Sequence, residues 1–304
     1  MVPPERSARR PLDAAALERI VRRLHAGSAP WLHQEAARRM AERLPVIRRE
    51  PERVLDWWAR LGGGGAELRR RYPRASLLAV ERQAERAERR AWWARWSAPR
   101  PPALAEAQVP EAAGQLLWCN MALHFMPDPQ ATLRAWHHAL EVDGFLMFST
   151  LGPGSLATLR ALYQEAGWPA PHAPFVDMHD LGDMLVEAGF ADPVMDQETL
   201  TLTWATPQAA LAELRSLGGN ADPARTPGLR TPRWRARLAE LWRTRAADAE
   251  GRVRMEFEIV YGHAFRPPPR AKMAASTSVP LADLRAMVRA ARRPGGEQGG
   301  EHGG

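Results

Sequence analysis

The stretch that most constrains the fold is residues 54–81, "VLDWWARLGGGGAELRRRYPRASLLAVE". A short apolar run ends in an acid, Asp56. Four glycines, Gly62 to Gly65, then precede a helical pattern, and a second apolar run closes on Glu81. Strand, glycine turn, helix, strand and terminal acid form the opening unit of a doubly wound α/β fold. The turn lets backbone approach a ligand, and the acid accepts hydrogen bonds from ribose hydroxyls. Glu81 lies 16 residues after Gly65 and 19 after Gly62, against a usual spacing of about 20. A flexible loop followed by a solvated strand end accounts for the same residues, so spacing alone leaves both readings open.

The surrounding rhythm favours a parallel sheet. Residues 12–24 place Leu12, Ala16, Ile20, Val21 and Leu24 on one helical face, and residues 31–44 repeat this with Leu32, Ala36, Met40 and Leu44. Two amphipathic helices therefore precede the first strand. "RQAERAERRAWWARW" reads as helix and "PRPPALAEAQVPEAAG" as loop. "QLLWCNMALHF" and "GFLMFSTLG" are further apolar runs, separated by the helical "PDPQATLRAWHHALE". Strands alternating with helices at this spacing predict a parallel sheet covered on both faces. After Gly152, four helical segments surround the alternating "PVMDQETLTLTW", and residues 252–265 alternate cleanly as a late strand. From Pro267 onward, proline, glycine and few large apolar residues predict a mostly disordered tail, 267–304.

Composition limits the function classes. The single cysteine, Cys119, excludes an internal disulfide and a cysteine-based zinc site. No apolar window approaches 18 residues, which argues against a membrane span, and a reducing cytoplasm is the simplest compartment. No His, Asp and Glu spacing suggests a metal site. The formal charge is +7, carried almost wholly by arginine, with Lys272 the only lysine. A biased genome composition accounts for that skew; so does an acidic partner. Trp92, Trp93 and Trp96 beside Arg95 read as helix packing or as a base-stacking platform.

The later motifs carry a resemblance. Asn120, Met121, Ala122 and Leu123 follow the fourth strand, Ser149 to Gly154 follow the fifth, and "LRSLGGNA" lies further on. From about Trp31 to Phe265 the chain resembles the malonyl-acyl-carrier-protein O-methyltransferases of biotin synthesis, a class I S-adenosylmethionine-dependent family. The resemblance implies a Rossmann-like α/β methyltransferase sheet. Residues 1–46 would form an N-terminal helical segment, and 47–266 the methyltransferase domain, with a helical cap at about 152–245 inserted after the fifth strand. It further implies methyl transfer from S-adenosylmethionine to the free carboxylate of a malonyl group on an acidic acyl carrier protein. Two other readings are a degenerate methyltransferase-fold binding protein and a basic nucleic-acid-binding protein or RNA methyltransferase. No base-reading motif supports the last.

The family's first loop reads Asp-Leu-Gly-Cys-Gly-Thr-Gly. Aligned on Asp56, Trp58 and Arg60 take the places of two glycines, and Gly62 alone matches. The expectation is that the loop re-registers, with Gly63 and Gly64 near the cofactor and Trp57 and Trp58 packed away. Gly64→Val should then spare ligand-free stability. By the same resemblance the cofactor site includes Asp56, Gly62, Gly63, Gly64, Glu81, Glu106 (after the third strand, where the family's acid faces adenine), Asn120 and His124. The family holds the malonyl carboxylate with an arginine in His-x-Asn-Arg-Phe; here His172 and Phe175 remain, but Pro174 replaces the arginine. A family tyrosine falls near Ala26. The expected substitutes are Arg225 or Arg230 with His172 in support, which would share the role if protonated.

Overall fold

The computed structural model describes residues 10–82, 103–228 and 230–269. The helix expected over 82–96, with its tryptophans, lies almost wholly outside the described residues, as does the tail from residue 270.

Two helices come first, α1 (Ala14–His25) and α2 (Trp31–Arg43). The Asp13 carboxylate starts α1 by accepting from the Ala16 N–H at 2.8 Å, which satisfies one of the helix's orphan donors. The α/β core follows: β1 (Arg53–Trp57), a one-turn α3 (Ala59–Gly62), α4 (Gly65–Arg71), β2 (Ser76–Glu81), β3 (Ala103–Ala105), β4 (Gly114–Cys119), α5 (Pro129–Ala139) and β5 (Leu140–Leu151). Then come α6 (Ala157–Glu165), α7 (Met178–Glu187), β6 (Ala191–Trp204), α8 (Pro207–Ser216), α9 (Pro232–Ala246) and β7 (Val253–Phe265).

The strands form one sheet in the order β3-β2-β1-β4-β5-β7-β6. Parallel pairing runs from β3 to β5, with Asp56 beside Ala79 and Trp118. β7 enters antiparallel between β5 and β6, in register Phe148↔Gly262. The expected parallel sheet is thus mixed at one side. The segment 152–245 contributes two helix pairs and, between them, the edge strand β6.

Side-chain alternation covers both faces. On β5, Leu146 and Phe148 join the core under α1, α5 and α7. Phe145 and Met147 join the core under α2, α4, α6 and α9. The stretch 99–114, expected as loop, supplies β3 from its described part, which pairs with β2 through Ala79↔Ala103. The short Ala-Leu-Ala run carries little strand propensity; the open edge of β2 imposes the pairing. Strand order reverses between β1 and β4, and in open α/β sheets ligands bind outside the strand ends at that switch point.

Candidate functional site

The glycine loop leaves β1 through Trp58, whose φ of 54° and ψ of 46° lie in the left-handed region. Glycine fills that conformation without strain, whereas a bulky residue there costs about 1–3 kcal/mol. Trp58 stands where the resembled loop has glycine, and the chain turns there all the same. Burial compensates: Trp58 is 3% exposed, and its indole N–H donates to Glu106 Oε1 at 2.7 Å. The Trp57 indole donates to the same oxygen at 2.8 Å, and its ring meets Trp136 edge-on. Both tryptophans pack into the core. Glu106, expected to face adenine, is engaged instead as the anchor of this tryptophan pair.

Re-registration takes the form of the extra turn α3, after which Gly63 (φ 70°) redirects the chain into α4. The glycines serve packing here. A Cβ on Gly62 would lie 2.9 Å from the Asn120 carbonyl oxygen, and one on Gly64 would overlap the Trp118 indole. One on Gly63 would strike Ala29 at 2.5 Å. This corrects the expectation that Gly64→Val spares the ligand-free protein. We expect that variant to lose about 1–3 kcal/mol, the usual cost of overpacking. Thermal unfolding without ligand measures it, and an unchanged midpoint would refute the packing role.

Asn120 is fully buried and joins three elements. Its Nδ2 donates to the His33 carbonyl at 2.7 Å and the Gly62 carbonyl at 2.6 Å. Its Oδ1 accepts from the Ser149 hydroxyl at 2.7 Å. Both amide donors of the side chain expected to touch cofactor are therefore taken by protein, and it pins the glycine turn to α2 and β5. His33, which no sequence motif singled out, sits in the same network with Nδ1 2.8 Å from the Leu61 carbonyl oxygen. Burial lowers its pKa to about 4, so the ring is neutral and Nδ1–H donates.

Two acids end β1 and β2 and line a cleft of about 350 Å³ with Gly63, Gly65 and Arg69. Asp56 Oδ1 and Glu81 Oε2 are buried without hydrogen-bond partners. Glu81 Oε1 accepts from the Arg60 N–H at 3.1 Å, while Oε2 lies 3.6 Å from His25 Nε2. Burial raises both carboxyls to about 7, and the neighbouring Glu81 charge adds to the rise at Asp56. Between the ordinary carboxylate range and about 7, the unfolded chain releases protons that the folded chain retains. Ligand-free stability should therefore fall as pH rises through that window and level off above it. Glu81→Gln should raise the ligand-free melting temperature at pH 8 by roughly 2–4 °C, about 1 kcal/mol in a domain of this size. The gain should shrink at pH 5; an equal effect at both values would contradict the burial of an ionised Glu81.

His124, expected at the cofactor site, and the substrate-side candidates His172, Arg225 and Arg230 do not line this cleft. His124, in the 3-10 turn Leu123–Phe125 after β4, is 9% exposed and reaches Thr150 Oγ1 from Nδ1 at 3.3 Å. Burial holds its pKa well below the usual histidine value. His172 stacks on Phe175 with ring centres 4.5 Å apart, and Phe175 in turn meets His124 edge-on. Burial lowers the His172 pKa too, which favours the neutral ring in the free protein. Arg225 is already engaged, since its Nη2 lies 2.7 Å from Asp13 Oδ2. Arg230 lies over the Trp234 ring, 4.5 Å from its centre. Sequence reasoning missed Arg10. Its guanidinium donates to the His124 carbonyl and, through Nε at 3.2 Å and through Nη2, to the Pro174 carbonyl.

Comparison with known proteins identifies the family and the fold. A family profile described as a methyltransferase domain covers residues 31–192. The malonyl-acyl-carrier-protein O-methyltransferase of Halorhodospira halophila is 38% identical over 266 residues, which cover 84% of this chain and 90% of the relative. The chain belongs to the malonyl-acyl-carrier-protein O-methyltransferase family. The family enzyme of Laribacter hongkongensis is 40% identical over 258 residues, 80% of this chain and 85% of its own. Among solved structures, the YcgJ protein of Bacillus subtilis superposes with a TM-score of 0.51 at 12% identity, covering 78% of this chain and 100% of that one. The BH2331 protein of Bacillus halodurans gives the same score at 14% identity, covering 75% and 99%. The fold is thus the Rossmann-like class I methyltransferase sheet. Among the described residues, no helix is long and apolar enough to cross a membrane.

Proposed function

We propose that this chain methylates the free carboxylate of a malonyl group carried by acyl carrier protein, using S-adenosylmethionine, in biotin synthesis. One observation carries the cofactor assignment: two buried carboxylate oxygens without partners, at the ends of β1 and β2 beside the glycine turn. Oxygen acceptors of that kind suit ribose hydroxyls, which donate. When bound, S-adenosylmethionine supplies an electrophilic methyl group. Glu81 accepts hydrogen bonds from the ribose, and Asp56 supports the loop side of the site. Asn120 holds the turn in place without touching the ligand.

The nucleophile is the substrate carboxylate itself, so no general base is required. The protein's task is alignment and exclusion of water. His124, Phe125 and Phe175 close the sheet mouth with neutral rings. A carrier protein of acidic surface would meet the first half of α9, where Arg233 and Arg235 are exposed and pair with no carboxylate among the described residues. Arg233→Glu with Arg235→Glu should raise KM for the malonyl carrier about tenfold, with the difference shrinking at high salt. A small malonyl thioester should be unaffected. Equal losses on both substrates would remove α9 from the docking surface.

The function is tested by transfer of labelled methyl from S-adenosylmethionine to malonyl-acyl carrier protein. The expected product is an alkali-labile ester, with none formed from the acetyl carrier. Absence of transfer with cofactor binding intact would favour the rival reading, a fold that kept its ligand site and lost catalysis.

A further inference from the structure

We propose that Arg10, carried in by the segment ahead of α1, is the cation that grips the substrate carboxylate. The inference rests on the reading above, that the substrate presents a free carboxylate. Three elements converge on this side chain. The Arg10 backbone N–H donates to the Pro127 carbonyl at 2.7 Å, which fixes the segment beside the turn after β4. Its guanidinium then bridges two separate walls: the His124 carbonyl at the sheet mouth and the Pro174 carbonyl between α6 and α7.

Charge makes the case. Four arginines that reach across the fold meet acids: Arg39 meets Glu198, Arg43 meets Asp196, Arg225 meets Asp13 and Arg266 meets Glu111; Arg252 reaches the Thr203 hydroxyl, and Arg160 donates to the nearby Pro153 and Ser155 carbonyls of its own stretch of chain. Arg10 meets only carbonyls, and no described carboxylate pairs with it. Arg10 is half-buried, and a cation partly withdrawn from water without a counter-charge is destabilising; that burial lowers the Arg10 pKa to about 10. A guanidinium has five N–H donors; three go to the two carbonyls, which leaves two for a carboxylate. The neighbouring rings of His124, His172 and Phe175 exclude part of the water, and although the charges of Arg160 and Asp222 also act on His172, the pairing is stronger there than in bulk water.

The position is equally specific. Pro174 stands where a family arginine would project, and its carbonyl receives the Arg10 guanidinium instead. A cation lost from the loop is thus supplied from the chain's N-terminal segment. Arg225 and Arg230 are held by Asp13 and Trp234, and burial favours a neutral His172 in the free state, so none of the three duplicates it.

The test compares binding of malonyl- and acetyl-acyl carrier protein to the full-length protein in the presence of S-adenosylhomocysteine. The acetyl carrier shares every feature except the carboxylate, so misfolding would weaken both equally. The wild type should prefer the malonyl carrier, and Arg10→Ala and Arg10→Gln should cut that preference roughly 100-fold. Acetyl-carrier and cofactor affinity should stay unchanged. Pro174→Arg placed in the Arg10→Ala protein should restore much of the preference. A preference that survives both Arg10 variants, a wild type with no preference, or a parallel loss on both carriers would each overturn the proposal. Methyl transfer, measured separately on the wild type, reports on the reaction itself: transfer by a wild type whose preference survives in the Arg10 variants sinks Arg10 alone.

Discussion

Asn120→Leu is expected to destabilise the folded chain by about 3–5 kcal/mol, near one to one and a half for each of three orphaned polar groups. The His33 carbonyl and the Gly62 carbonyl would lose their amide donor, and the Ser149 hydroxyl its acceptor. All three sit in the interior, where water cannot replace the missing partner. Leucine keeps the branching and leaves no cavity, so the loss reports on polar pairing together with some overpacking. The same change frees the glycine turn from β4, and methyl transfer should disappear with it. Denaturant unfolding measures the first effect; a loss below about 1 kcal/mol, within the range of an ordinary surface change, would refute the pinning role.

Glu81→Ala should weaken S-adenosylhomocysteine binding by about 1.5–3 kcal/mol, tenfold or more, through loss of charge-assisted hydrogen bonds. In the free protein the sign is opposite, because the variant relieves a desolvated carboxylate. Weaker binding alongside equal or greater ligand-free stability is therefore the signature of an acid held for a ligand. Binding should also strengthen as pH rises through about 7, since only the ionised carboxyl is a full acceptor. Unchanged affinity in the variant would remove Glu81 from the site.

Much of this was legible in the chain. Long apolar runs gave β1, β2, β4 and β5, because strands buried on both faces have no polar alternation to hide them. The clean alternation of residues 253–265 gave β7, although its antiparallel insertion depends on pairing partners that no local pattern encodes. β3 was missed because Ala103–Ala105 is strand only through its neighbour. Asn120 was found by its motif, but its bonds to the His33 and Gly62 carbonyls and the Ser149 hydroxyl are tertiary facts that no local pattern encodes.

The glycine run misled in another way. Loop glycines suggest backbone exposed to a ligand, whereas Gly64 exists because Trp118 lies against it. Trp58 looked like a blockage of the turn. It is accommodated because burial and a shared acceptor, Glu106, offset a left-handed φ. Arg10 carried no signal in sequence, since one arginine among many is distinguished only by which carbonyls it meets and which carboxylates it lacks.

The central claim is that an overwritten glycine loop still forms a working cofactor site, and calorimetric titration of the full-length chain with S-adenosylhomocysteine tests it most directly. The account predicts saturable binding at one site per chain in the micromolar range, tighter at pH 8 than at pH 6 and weakened by Glu81→Ala. No binding at millimolar ligand, with the protein folded, would contradict it and remove the enzyme reading altogether.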